Sequence, residues 1–194
     1  MPAALSDLLA GFGPDVAGHV LRAIERVPRH HFVAEIFRDE AYKDCAIPIG
    51  HGVSASRPSV IARMLSLLGA RSKVLEIGTG SGWQTALLST YAETFSIECV
   101  AGLHERARRD LASYPVNLRL GDGRLGWQEC APFDGIIVSA AVSECPPALF
   151  DQLAPDGVMV LPLGNGERQQ LCRIEKSKNG TPRLFGPCGF TLAA

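Results

Sequence analysis

The sequence predicts a doubly wound α/β fold, built on a mostly parallel β-sheet with helices on both faces. From residue 73 onward, short apolar segments of strand length alternate with segments whose apolar residues recur at helical spacing. The first apolar segment, residues 73–77, runs into a glycine-rich turn and then into a helix. This strand–turn–helix unit is typical of sheets that bind a nucleotide-like cofactor at the carboxyl ends of their parallel strands.

The N-terminal part of the chain predicts helices and one long loop. We expect a helix that starts at Pro14 and runs to Arg26, because a proline suits the first helical position and Val27-Pro28 ends the pattern. A second, short helix is expected over residues 29–37, whereas residues 1–13 give no clear pattern. Residues 41–57 have the composition of a loop, and a loop of this length in a compact domain suggests a function.

The core elements follow from the same periodicity. A helix opens at Pro58 and stops at Gly69. The predicted strands are 73–77, 94–98, 117–120, 134–139 and 158–163, and the predicted helices between them are 82–91, 101–112 and 147–153. Residues 170–174 and a stretch near Leu184 are expected to form a C-terminal antiparallel pair around the Asn179-Gly180 turn. We therefore expect a single domain, 1–194, with N-terminal helices and a substrate loop in 1–57 and the core in 58–194.

Composition and charge exclude several classes of protein. The formal net charge is −1, which gives no basic footprint for nucleic acid. No run approaches the ~20 apolar residues of a membrane span, and no basic segment precedes Arg22 as a secretory signal would require. The six cysteines and five histidines show no zinc spacing. We therefore expect a cytoplasmic protein with reduced cysteines, no metal, and no nucleic-acid or membrane partner.

The spacing of the glycines separates two classes of cofactor. A dinucleotide site has G-x-G-x-x-G, whereas this chain has Gly78-x-Gly80-x-Gly82, followed by Trp83 in place of the third glycine. Glu76, an acid just before the turn, is unfavourable beside a phosphate and suits a cationic ligand. The turn therefore favours S-adenosylmethionine, which carries an amino group and a sulfonium, over NAD.

Acidic residues at the ends of the next two strands support this interpretation. Glu98 can accept hydrogen bonds from both ribose hydroxyls, and Asp122 can accept from the adenine amine or a neighbouring donor. Structural roles are the alternatives: a capping or solvated carboxylate for Glu76, a surface acid for Glu98 and a turn-forming residue for Asp122. The candidate cofactor-binding residues are Glu76, Gly78, Thr79, Gly80, Gly82, Glu98, Cys99, Gly121, Asp122 and Gly123.

Several segments, in the same order along the chain, resemble one enzyme family. Residues 74–82, Val-Leu-Glu-Ile-Gly-Thr-Gly-Ser-Gly, are similar to the first methyltransferase motif of the protein-L-isoaspartate O-methyltransferases. Further matches are Val27-Pro28-Arg29-His30-His31-Phe32-Val33, Ala41-Tyr42-Lys43-Asp44, Ile47-Pro48-Ile49-Gly50, Gly121-Asp122-Gly123, Ala131-Pro132-Phe133-Asp134 and Ser139-Ala140-Ala141. The resemblance implies a Rossmann-like methyltransferase fold. It also implies that S-adenosylmethionine gives its methyl group to the α-carboxylate of an L-isoaspartyl residue in a peptide or protein, for repair, leaving S-adenosyl-L-homocysteine.

The same resemblance places a catalytic serine before the helix that starts at Pro58. The family has Gly-Gln-Thr-Ile-Ser-Gln-Pro where this chain has Gly-Val-Ser-Ala-Ser-Arg-Pro over residues 52–58, so Ser56 falls on the catalytic position. An N-cap of the following helix is the alternative role of Ser56. The candidate substrate-binding residues are Val53, Ser54, Ala55 and Arg57. Arg57 either binds a carboxylate through a bidentate fork or is solvated.

Two regions differ from the family pattern, and both lie on the substrate side. Val53 and Arg57 replace the two glutamines of the loop, and residues 188–192, Cys-Gly-Phe-Thr-Leu, replace an Arg-Phe-Val-Pro-Leu-like strand. The alternatives are therefore a relative that methylates another carboxylate, on a small molecule or a dedicated peptide, and a protein that binds S-adenosylmethionine without turnover. A nucleic-acid methyltransferase is disfavoured, because residues 139–141 are Ser-Ala-Ala where an Asn/Asp-Pro-Pro-Tyr/Phe motif is expected.

Overall fold

The computed structural model describes residues 2–165 and 168–190. Its α-helices are α1 (Pro2–Ala10), α2 (Gly18–Arg26), α3 (Pro58–Leu68), α4 (Trp83–Ser89), α5 (Ala101–Asp110) and α6 (Pro147–Asp151). Its strands are β1 (Ile47–Gly50), β2 (Val53–Ala55), β3 (Lys73–Ile77), β4 (Glu93–Glu98), β5 (Val116–Leu120), β6 (Phe133–Val138), β7 (Leu153–Asn165), β8 (Arg168–Glu175) and β9 (Arg183–Cys188). Short 3-10 helices cover Arg29–Phe32, Glu35–Glu40, Gly123–Leu125, Gln128–Cys130 and Lys176–Lys178.

Seven strands form one sheet in the order β5-β4-β3-β6-β7-β8-β9. From β5 to β7 in this order the neighbouring strands are parallel, and β8 pairs antiparallel with both β7 and β9. This confirms the predicted α/β fold with its mostly parallel sheet and its C-terminal antiparallel strand pair. The chain moves outward in opposite directions on the two sides of β3, towards β5 on one side and towards β7 on the other. Open α/β sheets bind ligands at such a switch point, beyond the carboxyl ends of the strands.

The central strands are buried on both faces because helices cover both sides of the sheet. Alternate residues enter opposite halves of the core: Val74 and Val160 pack into one cluster, and Leu75 and Leu161 into the other. The first cluster is covered by α2, α3, α4 and α5, and the second includes Leu149 of α6. The apolar runs that predicted β3 and β7 therefore reflect burial on two faces at once.

The core elements lie where the sequence predicts them, with small differences at their ends. Strand β3 has the predicted bounds, and α3 ends before Gly69, whose φ of 76° stops the helix. The C-terminal turn is also confirmed, with positive φ at Asn179 (55°) and Gly180 (68°). Strand β7 is longer than predicted, because it begins to pair with β6 at Leu153 and continues along β8 as far as Asn165.

The N-terminal helices differ more from prediction. The helix expected from Pro14 begins at Gly18, because Ala17 is extended and its N–H donates to Ser66 Oγ at 2.9 Å. This contact with α3 holds the chain out of a helix at that point. Residues 1–13, which give no clear pattern, contain α1. The short helix expected over 29–37 is two 3-10 segments, separated by an extended backbone at Val33.

The prediction of an unstructured loop over residues 41–57 was wrong, because this segment contains the β1–β2 hairpin. The two strands pair antiparallel, with Ile47 opposite Ala55 and Pro48 opposite Ser54. Along β1, Ile47 and Ile49 are buried while the residues between and after them are exposed. An alternation over four residues is too short to identify a strand from sequence, and only the tertiary contacts of Ile47 and Ile49 reveal it.

Several other features concern the described residues only. None of their helices is both long and apolar enough to cross a membrane, and none of their His, Cys, Asp and Glu groups is arranged to hold a metal ion. All six cysteines are free thiols. In the unusual C-terminal segment, Phe190 exchanges two hydrogen bonds with Gln169, at 2.6 and 2.9 Å, whereas residues 191–192 lie outside the described part of the chain.

The packing of α3 predicts a large difference between two leucine truncations. Leu65 is fully buried in the first core cluster, whereas Leu184 on β9 is 61% exposed. We expect Leu65→Ala to lower the free energy of unfolding by about 2–5 kcal/mol, because it removes buried methyl groups and leaves a cavity. The matched change Leu184→Ala should alter it by no more than about 0.5 kcal/mol. Urea unfolding of both variants measures the two values, and equal losses would contradict the described core.

Candidate active site

The turn that follows β3 bends at three glycines. Gly78, Gly80 and Gly82 have φ values of 90°, 56° and 86°, which any residue with a Cβ adopts at a cost. At Gly82 a Cβ would also lie 3.1 Å from the Leu111 side chain. The glycines therefore serve both the backbone conformation and the close packing of the turn. Gly78 and Gly80 remain partly exposed, so a ligand can approach their backbone.

Glu98 holds this turn from the end of β4. One oxygen of its carboxylate accepts the Gly80 N–H at 2.8 Å, and the other accepts the Val100 N–H at 3.0 Å. The side chain is only 5% exposed, so Glu98 is not a solvated surface acid. A carboxylate offers about four lone-pair positions, so both oxygens can still accept hydrogen bonds from a ribose diol. Cys99, the next residue, is exposed beside it.

The Glu76 carboxylate does not reach the surface of the cofactor cradle, which consists of the glycine turn (residues 78–82) and the ends of the neighbouring strands. Glu76 is fully buried beneath the turn. Its oxygens accept hydrogen bonds from Gln84 Nε2 at 2.9 Å, from Ser96 Oγ at 2.6 Å and from the Thr85 hydroxyl. These donors lie on α4 and β4. The sequence suggested that the Glu76 carboxylate contacts a cationic ligand directly. In the structure, side chains inside the protein bind this carboxylate instead.

The same network extends to two further residues around the turn. Thr79 Oγ1 lies 2.7 Å from Ser96 Oγ, and Gln84 Nε2 also donates to Ser139 Oγ at 2.8 Å. Burial raises the pKa of Glu76 to about 7, although its three side-chain donors oppose that shift. The network thus joins β3, β4, α4 and the residue after β6 around one titratable carboxyl group.

The third predicted acid, Asp122, lies in the turn after β5. Its Oδ1 accepts the Arg124 N–H at 2.9 Å, and its carboxylate also receives the Arg124 guanidinium, with Nη2 at 2.8 Å from Oδ2. These hydrogen bonds hold the pKa of Asp122 below its usual range. Gly123 packs so tightly that a Cβ would lie 2.3 Å from Ile77 Cγ2. Residues 121–123 are therefore brought against the end of β3, beside the glycine turn.

The β1–β2 hairpin lies across the glycine turn. A Cβ on Gly80 would lie 3.6 Å from Ile49 Cδ1, and a Cβ on Gly102 of α5 would lie 2.5 Å from His51 Nε2. The hairpin tip, residues 50–52, has positive φ at all three positions, including 54° at His51. The segment that carries the substrate-loop candidates is thus brought next to the turn and to the first residues of α5.

Ser56 lies between this hairpin and α3. The N-cap of α3 is Arg57, which makes no side-chain capping bond, so Ser56 is not the cap. Instead, Asp44 accepts hydrogen bonds from Ser59 N at 2.8 Å and Ser59 Oγ at 2.7 Å. Ser56 is half-buried, and within the described ranges its hydroxyl has no hydrogen-bond partner. Of the other loop candidates, Ser54 and Arg57 are exposed and Val53 and Ala55 are half-buried.

Sequence reasoning missed residues that support the site from within. Arg29 and Asp44 fall in segments 27–33 and 41–44, which resemble the family, but their roles depend on contacts with residues distant in sequence. Gln84 and Thr85 appeared only as part of a helix, although they bond the Glu76 carboxylate. The signal available was that polar residues stand at the start of an otherwise apolar helix, directly after the glycine turn.

The arrangement fits an adenosyl group bound through its ribose. The structure provides a partly exposed glycine backbone and a carboxylate with free lone pairs. A second carboxylate, that of Asp122, stands at the end of the adjacent strand β5. These acceptors match a neutral ribose and an amine, and the buried Trp83 stands where a dinucleotide site has its third glycine. The residues present therefore favour S-adenosylmethionine over a dinucleotide.

The buried position of Glu76 predicts a pH-dependent stability. Because the folded chain holds a proton that the unfolded chain has released, the free energy of unfolding should fall as pH rises from 4.5 to about 7. The contribution is on the order of 3 kcal/mol. Glu76→Gln should lose this dependence, whereas the exposed control Glu93→Gln should keep it. Urea unfolding from pH 5 to 8 measures the slopes, and parallel slopes for wild type and Glu76→Gln would contradict the assignment.

Comparisons with known proteins agree with the resemblance read from the motifs. The family model described as protein-L-isoaspartate(D-aspartate) O-methyltransferase matches residues 7–184. The protein-L-isoaspartate O-methyltransferase of Pseudomonas aeruginosa (strain LESB58) is 48% identical over 172 residues, which are 85% of this chain and 82% of that protein. The corresponding enzyme of Pseudomonas syringae pv. tomato is 48% identical over 171 residues, covering 84% and 81%.

Two solved structures share the fold over the whole chain. A structure named protein-L-isoaspartate O-methyltransferase superposes with a TM-score of 0.87 at 27% identity, covering 100% of this chain and 66% of its own. A Plasmodium falciparum protein assigned to the same activity, in complex with S-adenosyl-L-homocysteine, superposes with a TM-score of 0.85 at 22% identity, covering 99% and 97%. The motifs, the family model and the relatives that match most of the sequence agree: this chain belongs to the protein-L-isoaspartate O-methyltransferase family.

Proposed function

We propose that this chain transfers the methyl group of S-adenosylmethionine to the α-carboxylate of L-isoaspartyl residues in damaged proteins, as a step in protein repair. The observation that carries the proposal is the meeting of two features at one edge of the sheet. The Glu98-anchored glycine turn stands beside the hairpin and loop that carry Ser56. The family's relatives named above are described as enzymes of this activity.

The donor side of the site is built from the glycine turn and the acids at the strand ends. When bound, S-adenosylmethionine supplies a methyl group activated by a positively charged sulfur. We assign Glu98 to the ribose hydroxyls and Asp122 to the adenine amine. The backbone of Gly78, Thr79, Gly80 and Gly82, with Cys99, Gly121 and Gly123, surrounds them. Glu76 supports the turn from below, through the hydrogen bonds that it accepts from Gln84, Thr85 and Ser96.

The acceptor side requires positioning more than proton transfer. A carboxylate with a pKa near ~4 is already ionised at neutral pH, so no general base is needed. The protein has to hold the carboxylate oxygen in line with the methyl group and to exclude water. The Ser56 hydroxyl, which has no partner within the described residues, is free to donate a hydrogen bond to that carboxylate. Exposed Arg57 supplies a second, charged donor on the same loop.

The substrate is a peptide or protein that presents such a carboxylate. We place the reaction in the cytoplasm, since the six cysteines are scattered along the sequence without zinc spacing, as expected of reduced thiols. Val53 and Arg57 leave one specific alternative, methylation of a different carboxylate, because they replace the glutamines that the family carries in this loop. The second alternative is that the protein binds S-adenosylmethionine without catalysing methyl transfer.

A pair of peptides tests these functions directly. We expect alkali-labile methyl ester to form when the enzyme and S-adenosylmethionine are given an L-isoaspartyl peptide, and not when they are given its normal aspartyl twin. The measurement is radiolabelled methyl ester released as methanol by base. Ester on neither peptide, together with calorimetric binding of S-adenosyl-L-homocysteine, would overturn the isoaspartyl function and favour the alternatives. Ester on both peptides would show a carboxylate specificity broader than proposed.

The role proposed for the Ser56 hydroxyl predicts a loss of turnover without a loss of cofactor affinity. Ser56→Ala should lower kcat on the isoaspartyl peptide by about 10- to 100-fold, because a hydrogen-bond donor to the reacting carboxylate is removed. The dissociation constant of S-adenosyl-L-homocysteine should change little. Ser89→Ala is the matched control, since among the described residues Ser89 Oγ bonds only the Ala86 carbonyl, one turn earlier in α4. A loss of cofactor affinity in Ser56→Ala would instead make Ser56 a cofactor contact or a structural residue.

A further inference from the structure

We propose that Arg29 is a positioning residue, which fixes the Ser56 backbone against the helix that carries the cofactor turn. The proposal rests on the function proposed above, in which Ser56 orients the acceptor carboxylate. Its basis is one buried guanidinium that touches the acceptor loop, residues 53–57, on one side and α4 on the other. The Arg29 guanidinium is enclosed by backbone carbonyls and the Trp83 ring, so we assign its effect to the position of Ser56.

The Arg29 guanidinium is surrounded by backbone carbonyl groups. The side chain is 1% exposed. Nη1 donates to Ala41 O at 3.0 Å and Lys43 O at 3.4 Å, and Nη2 donates to Cys45 O at 3.2 Å and Ser56 O at 2.9 Å. Burial lowers the pKa of Arg29 to about 10, so the group stays charged at neutral pH. Four carbonyl dipoles therefore compensate the buried charge.

The other side of Arg29 faces the cofactor helix. Its Cζ lies 5.3 Å from the centroid of the Trp83 ring, a cation–π contact. Trp83 is the first residue of α4 and directly follows Gly82, and its indole Nε1 donates to Val27 O at 3.1 Å. One arginine thus connects the Ser56 carbonyl to the residue that follows the glycine turn. The position of the acceptor loop relative to the glycine turn depends on this connection.

Residues 41–45 form a strap that holds the acceptor loop from a second point. Arg29 bonds the strap at Ala41, Lys43 and Cys45, and Asp44 of the strap bonds both Ser59 N and Ser59 Oγ on α3. Ser56 is therefore held by Arg29 directly, and through Asp44 at the start of the following helix. Because a misplacement of about 1 Å can cost 10²-fold in rate, the backbone on both sides of Ser56 needs this support.

The shape of the guanidinium, and not only its charge, is required by this geometry. A planar fork can donate to four carbonyls around its edge while its face lies on Trp83. A lysine ammonium would keep the charge but has three donors on one atom and no flat face. Arg29→Lys therefore separates charge from geometry, and Arg29→Met removes both while keeping an unbranched apolar stem.

The test compares these variants with a control arginine outside the site. Arg173 is partly buried and donates to Leu67 O at 2.8 Å and to the Glu175 carboxylate, on the antiparallel edge of the sheet. We expect Arg29→Lys and Arg29→Met to lower kcat on the isoaspartyl peptide by ~10-fold or more, measured well below each melting temperature. Calorimetry should show affinity for S-adenosyl-L-homocysteine within about threefold of wild type. Arg173→Met should lower the melting temperature and keep kcat.

Three outcomes would overturn the proposal. Arg29→Lys could keep the wild-type kcat. Arg29→Met could lower the melting temperature but keep kcat, as expected of Arg173→Met, or affinity for S-adenosyl-L-homocysteine could fall by the same factor as kcat. If neither Arg29 variant folds, Asp44→Ala decides, because Asp44 is exposed and its replacement removes both bonds between the strap and Ser59. Retained kcat in that variant would overturn the proposal. A failure of the proposed function gives a different result: the wild-type protein then binds S-adenosyl-L-homocysteine but makes no ester. In that case the role assigned to Arg29 is also rejected.

Discussion

The hydrogen-bond network around the buried Glu76 carboxyl group is the interaction on which the cofactor cradle depends. It joins the end of β3 to Ser96 on β4 and to Gln84 and Thr85 on α4. A buried carboxyl group is costly unless every oxygen is paired, and here three donors satisfy it. The glycine turn above is therefore supported from below by this network, while Glu98 accepts the Gly80 N–H from the end of β4.

The proposed site has a donor half and an acceptor half, and the two have different physical origins. The donor half is made at the carboxyl ends of β3, β4 and β5, where Glu98 bonds the Gly80 N–H and Asp122 lies one strand further. The acceptor half is made by the N-terminal segments, whose strap and hairpin have little regular structure to support them. A buried arginine and the indole of Trp83 supply that support, so the loop that carries Ser56 is held against α4, the helix that follows the glycine turn.

The core strands could be predicted because they are buried on both faces, and such strands read as continuous apolar runs. The N-terminal segments could not be predicted, because their conformation depends on contacts from elsewhere in the chain. Ser66 holds Ala17 out of a helix, and Asp44 performs the capping that a local serine would be expected to perform. The hairpin has strands of only four and three residues, so its alternation is too short to be recognised locally.

The sequence by itself determined the fold class, the family and the identity of the methyl donor, and it predicted which residues surround that donor. These depend on local features, namely strand length, glycine spacing and the residues that follow each strand. Only the tertiary structure decided that Glu76 lies inside the protein and that Ser56 is not a helix cap. It alone placed Arg29 between the acceptor loop and α4. The reason is physical: burial and the choice of hydrogen-bond partner arise when distant segments pack, and no local pattern specifies which segments will meet.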